Sequence, residues 1–110
     1  MGDEDRRRRR ARNMYFRLEL EKLQKMAVPV LKKHGVARAA IFGSIARGEA
    51  REDSDLDFLV EFEGQKTLLD LVALQQELEK VTNKKVDVVT YASLNPRIRE
   101  QIIREQVKIL

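Results

Sequence analysis

Residues 43–57 read Gly-Ser-Ile-Ala-Arg-Gly-Glu-Ala-Arg-Glu-Asp-Ser-Asp-Leu-Asp, and they sit between two apolar runs. Val36 to Phe42 leads in; Leu56 to Phe62 leads out. Both runs have strand length, so the segment is read as a connection between two strands, with Gly43-Ser44 as a sharp turn at the end of the first. In extended chain, residues i and i+2 project to the same face. Asp55 and Asp57 therefore point together while Leu56 turns into the core. Two carboxylates so placed repel by roughly 4 kcal/mol at 4 Å and an effective dielectric near 20. A divalent cation between them removes that repulsion, and this is the first physical hint of a metal site.

Outward from this segment, the pattern gives α/β (α+β type) architecture in the order α-β-turn-β-α-β-α. Phe16, Leu20, Leu23, Ala27, Val30 and Leu31 recur at helical spacing, and Lys32, Lys33, His34 and Gly35 form a C-terminal stop. Pro29 inside that stripe predicts a kink or break near residues 25–28. His34, the single histidine, reads as a helix-end residue rather than a catalytic one. A second helix is expected from about Thr67 to Val81, with Leu68, Leu71, Leu74, Leu78 and Val81 on one side, closed by Thr82-Asn83. Lys85 to Thr90 reads as a third strand. Ser93 or Asn95 caps a last helix with Pro96 in its first turn. Ile98, Ile102, Ile103 and Val107 form its apolar side, which we expect to be core in preference to a docking surface.

The third strand carries Asp87 among valines. A lone carboxylate in such a strand is expensive to bury unless paired or metal-bound. A crossover through the second helix makes the second and third strands parallel neighbours. Asp87 then joins Asp55 and Asp57 on one sheet face. Three carboxylates near a glycine-serine turn suit phosphoryl or nucleotidyl transfer, in which two divalent ions clamp the attacking and leaving oxygens. Magnesium suits an all-oxygen site that keeps waters and substrate phosphates as ligands. Gly43 lets backbone approach a phosphate, Ser44 donates a hydroxyl, and Arg47 lies within reach of the same phosphates. The loop lacks the Gly-Lys-Ser/Thr ending of a Walker A motif.

The chain has 110 residues, 36% charged and 43% hydrophobic, and no cysteine. Disulfides and thiolate metal sites are excluded. No apolar run approaches the roughly 20 residues that span a bilayer, so a cytoplasmic protein without membrane contact is expected. The net charge of +4 is uneven. Residues 1–12 hold six arginines, Arg6 to Arg10 and Arg12, against three acidic residues. Residues 1–13 are read as a disordered basic arm and 14–110 as one domain. The arm could meet nucleic acid phosphates, though no aromatic residues interleave the arginines as stacking platforms.

Gly43-Ser44, ten residues, then Asp55-Leu56-Asp57 resembles the signature of the DNA polymerase beta-like nucleotidyltransferase superfamily. The fuller run through Phe58-Leu59-Val60, with Val86-Asp87-Val88-Val89-Thr90 later, is similar to the minimal nucleotidyltransferases, the MntA-type antitoxins of HEPT/MNT toxin–antitoxin pairs. The resemblance covers residues 18–110 and leaves the arginine run unexplained. It implies a small mixed sheet with helices packed against it. It also implies transfer of a nucleoside monophosphate, AMP from ATP, to a hydroxyl of a HEPT-domain toxin. Gly43 and Ser44 would hold the outer phosphates, Asp55 and Asp57 would ligate two Mg²⁺ ions, and Asp87 would complete the inner metal site and help deprotonate the acceptor. A chain of this size leaves one wall of the cleft to a partner. Two alternatives stand beside this: a non-catalytic antitoxin that caps its partner, and nucleotidyl transfer to a small molecule.

Overall fold

The computed structural model describes residues 2–43, 45, 46, 48 and 55–110, with side chains from residue 18 onward. The elements are α1 (Gly2–Lys33), β1 (Val36–Phe42), β2 (Leu56–Phe62), α2 (Leu68–Thr82), β3 (Val86–Thr90), a 3-10 turn (Tyr91–Ser93), α3 (Pro96–Glu105) and β4 (Val107–Lys108). The strands form one mixed sheet in the order β3-β2-β1-β4. β1 runs antiparallel to both β2 and β4, and β2 runs parallel to β3. This is the α+β arrangement the sequence predicts, with one strand added.

The sheet has two different faces, set by alternation along the strands. Ala39 and Ile41 of β1, Leu56, Phe58 and Val60 of β2, and Val86 of β3 pack beneath the two long helices. α1 meets them with Leu23, Ala27, Val30 and Leu31, and α2 with Leu74 and Leu78. Each fully buried large apolar side chain here contributes about 1.5–3 kcal/mol relative to exposure. The opposite face carries a smaller cluster of Ala40, Leu59, Tyr91 and Leu94, flanked by Phe42, Val89 and Ile102. The 3-10 turn and α3 cover only part of it.

Local chemistry explains the helix ends. Thr67 caps α2 in a reciprocal box: its hydroxyl accepts from the Asp70 N–H at 3.3 Å, and its own N–H donates to Asp70 Oδ2 at 2.8 Å. Those hydrogen bonds, backbone first and hydroxyl second, hold the Asp70 carboxyl below the usual carboxylate range. Asn83 closes α2 in the left-handed region, at φ 54°, and its N–H reaches the Glu79 carbonyl. Asn95 caps α3 by accepting from the Arg97 N–H at 3.0 Å, with Pro96 in the first turn.

Several expectations need correction. α1 is continuous through Pro29, with no break near residues 25–28. Pro29 lies on the exposed side, and Lys25, whose carbonyl its missing N–H would have met, is exposed as well, so water can take that bond. The helical backbone of α1 begins at Gly2 and so includes residues 2–13. Arginine and alanine are good helix formers.

The apolar side of α2 is shorter than expected. Leu74, Leu78 and Thr82 are buried, whereas Leu68 is 75% exposed and Val81 is also exposed. α3 buries no residue fully, with Ile98 47% and Ile103 39% exposed, so it is not core. Only Ile102 packs against the sheet. Val107 belongs to β4, and Ile109 enters the main core directly behind it.

Candidate active site

β1 ends at Phe42, and Gly43 turns the chain with φ +79°, a conformation that disfavours any side chain. Ile45, two residues on, is 3% exposed and packs into the main core. The Gly48 N–H donates to the Ile45 carbonyl at 3.1 Å, closing a tight turn. The loop is therefore pinned from inside by one apolar residue. Sequence reasoning passed over Ile45, although an isolated isoleucine in a polar loop was the available signal. Ser44 and Arg47, the other two loop residues singled out, lie outside the described residues.

The start of β2 is fixed against β3 by the Leu56 N–H donating to the Lys85 carbonyl at 2.8 Å. From there the register runs Leu56 to Val86, Asp57 to Asp87 and Phe58 to Val88. On its other side Asp57 pairs with Phe42. Partners in register share a face, and Asp57 lies two residues from Leu59 on the side of the smaller cluster. Asp57 and Asp87 thus project side by side from the face that the long helices leave open. Asp57 is half-buried and Asp87 exposed. Asp55 precedes β2 by one residue, two ahead of Asp57, and is exposed.

Asp57 also lies over the turn. A methyl group built on Gly43 would fall on its Oδ2 atom. The end of β1 and the second residue of β2 are thus fitted to one another through an absent side chain.

Further along the same face, Arg38 Nε pairs with Glu61 Oε2 at 2.6 Å, and its guanidinium lies 4.2 Å from the centre of the Tyr91 ring. The Tyr91 hydroxyl donates to Gln106 Oε1 at 3.0 Å. Burial pushes the Tyr91 hydroxyl pKa up, against the opposing influence of the Arg38 charge. This network holds the turn after β3 and the end of α3 onto the same sheet face, toward the far ends of β2 and β3 from the carboxylates. His34 has a structural setting far from them, with Nε2 at 2.6 Å from Glu77 Oε2.

As donors, Asp57 and Asp87 on one face, with Asp55 just ahead of β2, offer only hard oxygen atoms, which fits Mg²⁺ and not a soft transition metal. Among the described residues no three His, Asp or Glu side chains already stand together as a ready-made cation group. A hollow of about 410 Å³ lies at the other ends of β2 and β3, beside Phe62, Lys66 and Leu68, and none of Asp55, Asp57 and Asp87 lines it. Among the described residues no helix is long and apolar enough to cross a membrane.

Comparison with known proteins bears directly on this geometry. Residues 21–110 match the family described as polymerase beta, nucleotidyltransferase. The chain belongs to that family, and it is an enzyme of the nucleotidyltransferase class. The arginine run precedes the matched region. A Methanocaldococcus jannaschii protein provisionally named protein adenylyltransferase MJ0435 is 50% identical over 93 residues, covering 84% of this chain and 100% of its own. Protein adenylyltransferase MntA of Thermococcus cleftensis is 41% identical over 78 residues, covering 71% and 79% respectively.

Among solved structures, one described provisionally as a minimal nucleotidyltransferase superposes with a TM-score of 0.71 at 46% identity, over 81% of this chain and 91% of that one. The same fold recurs at 17% identity and a TM-score of 0.63, over 80% of this chain and 69% of the other, in a complex of a tri-AMPylated Shewanella oneidensis HEPN toxin with its MNT antitoxin.

Proposed function

We propose that this nucleotidyltransferase moves AMP from ATP to a hydroxyl of a partner protein, a HEPT-domain toxin, and so acts as the antitoxin of the pair. The observation that carries the proposal is the register of Asp57 with Asp87 beside the Gly43 turn. Names of relatives support the chemistry: proteins 41–50% identical to this chain are called protein adenylyltransferases.

In this reading Asp55, Asp57 and Asp87 hold two Mg²⁺ ions. When bound, the metal neutralises phosphate charge and favours the ionised form of the attacking hydroxyl. Gly43, Ser44 and Arg47 hold the outer phosphates of the nucleotide. Asp87 accepts the proton of the acceptor hydroxyl as its oxygen bonds to the α-phosphorus. The bond from that phosphorus to the bridging oxygen breaks, and pyrophosphate leaves. Ile45 keeps the loop in place during the exchange.

A second reading is favoured by the exposure of Ile98 and Ile103 on α3, an apolar surface suited to capping a partner without chemistry. Incubation of the purified chain with labelled ATP, Mg²⁺ and the product of the neighbouring gene separates the two. Label on the partner supports transfer. A tight complex without label supports capping and overturns transfer to that protein.

A further inference from the structure

Gly43 belongs to the turn assigned to phosphate binding, yet its closest described relationship is to a carboxylate. An ideal Cβ at this position would collide with Asp57 Oδ2 and press on Asp57 Cγ at 3.2 Å. Real Cβ atoms do not approach a neighbour that closely. Gly64 is the useful contrast. It has a similar backbone conformation, φ +72° against +79° at Gly43, but a Cβ there would meet nothing within 4 Å. Positive φ explains both glycines. Only Gly43 has a second reason.

We infer that Gly43 is a positioning residue for Asp57: the missing side chain leaves a seat in which the Asp57 carboxylate lies against the turn. Asp57 springs from β2 directly across from Phe42, the residue before Gly43. A side chain at position 43 must push that carboxylate off the turn. The turn and the carboxylate face are then one steric unit, and the loop can be altered only by moving the group proposed to hold the metal. The functional consequence rests on the nucleotidyl-transfer reading. The steric claim does not.

The test is a set of melting curves on the full chain: parent, Gly64→Ala, Gly43→Ala, Asp57→Ala and Gly43→Ala/Asp57→Ala. Gly64→Ala reports the effect of alanine at positive φ alone. Gly43→Ala should lower the melting temperature further than Gly64→Ala does. In the Asp57→Ala background that excess should disappear, so the two changes are non-additive. If Gly43→Ala fails to fold while the double variant folds, the inference stands. Equal losses from Gly43→Ala with and without the Asp57 carboxylate overturn it, as does a double variant that stays unfolded while Asp57→Ala folds.

A second readout separates positioning from mere structure. Mn²⁺ titration followed by electron paramagnetic resonance, with a non-hydrolysable ATP analogue present, should show Gly43→Ala weakening the ion by about 10- to 100-fold, the range seen when groups orienting a metal ligand are lost. Gly64→Ala should leave Mn²⁺ binding unchanged. Unchanged binding in folded Gly43→Ala also overturns the inference. The melting curves are read without substrate or activity, so they stand even where the transfer reading fails.

Discussion

Asp57 and Asp87 are lateral partners in adjacent parallel strands, one register step inside Leu56 and Val86. Strand neighbours lie about 4.8 Å apart, so the two carboxylates start from backbone positions a cation can bridge. Neither α1 nor α2 covers the face they share. That combination of closeness and access has several consequences that can be measured.

Replacing Asp55 and Asp57 together by asparagine keeps side-chain shape and removes two like charges. The melting temperature of the metal-free protein should hold steady or rise, while transfer is lost. A drop comparable to that of a core truncation would mean the pair serves the fold instead of the chemistry. Circular dichroism melts with and without Mg²⁺ make the comparison.

Mg²⁺ and ATP added together should raise the melting temperature, because a ligand that binds only the native state stabilises it by about 2.7 kcal/mol at a hundredfold excess over Kd. The shift should shrink sharply for Asp57→Asn. An equal shift in parent and variant would remove Asp57 from the nucleotide site.

The capping box makes Thr67 a stability residue. Thr67→Ala removes the acceptor for the Asp70 N–H and should destabilise by about 1 kcal/mol. Denaturant midpoints should shift while metal binding does not, since α2 begins at the far end of β2 from the carboxylates.

Glu77 ties the C-terminal end of α1 to the body of α2, with Oε1 2.7 Å from Lys33 Nζ and Oε2 2.6 Å from His34 Nε2. Its carboxyl is held below its ordinary value of 4.5, first by Lys33 and then by His34. A depressed native pKa gives stability that is present above pH 4.5 and lost as pH falls through the native value. Parent protein should therefore lose more of its melting temperature on acidification below pH 4.5 than Glu77→Gln does. The pair is solvent-accessible, so high salt should narrow that difference.

Much of this architecture was legible because its signals are local. β1 and β2 have the bounds their apolar runs give, Val36–Phe42 and Leu56–Phe62. The crossover places Asp87 beside Asp57 because β2, a helix of fifteen residues and β3 leave parallel pairing as the natural closure. The misreadings share a different cause. Ile98, Ile102 and Ile103 repeat at helical spacing whether or not a neighbour covers them, and α3 has little sheet left to pack on.

β4 is only two residues long and pairs with Ala40 and Ile41, 108 − 40 = 68 and 107 − 41 = 66 residues away in the chain, so no local pattern marks it. Pro29 costs α1 one hydrogen bond, and the exposed Lys25 carbonyl can take water in its place, so the helix runs on without a break. At the site, Asp55, Asp57, Asp87 and Gly43 announce themselves by residue type. The seat between Gly43 and Asp57, and the anchoring by Ile45, are tertiary facts that spacing alone does not contain.

Asp87→Asn puts the whole account to its shortest trial. The exposed carboxylate is exchanged for an amide of the same shape, and transfer of label from ATP to the partner protein is timed beside the parent's. We expect transfer to fall by about 10²- to 10⁴-fold, the usual consequence of losing a proton acceptor, with the melting temperature nearly unchanged. Transfer at the parent's rate by the folded variant would contradict the assignment of the three carboxylates to one reaction.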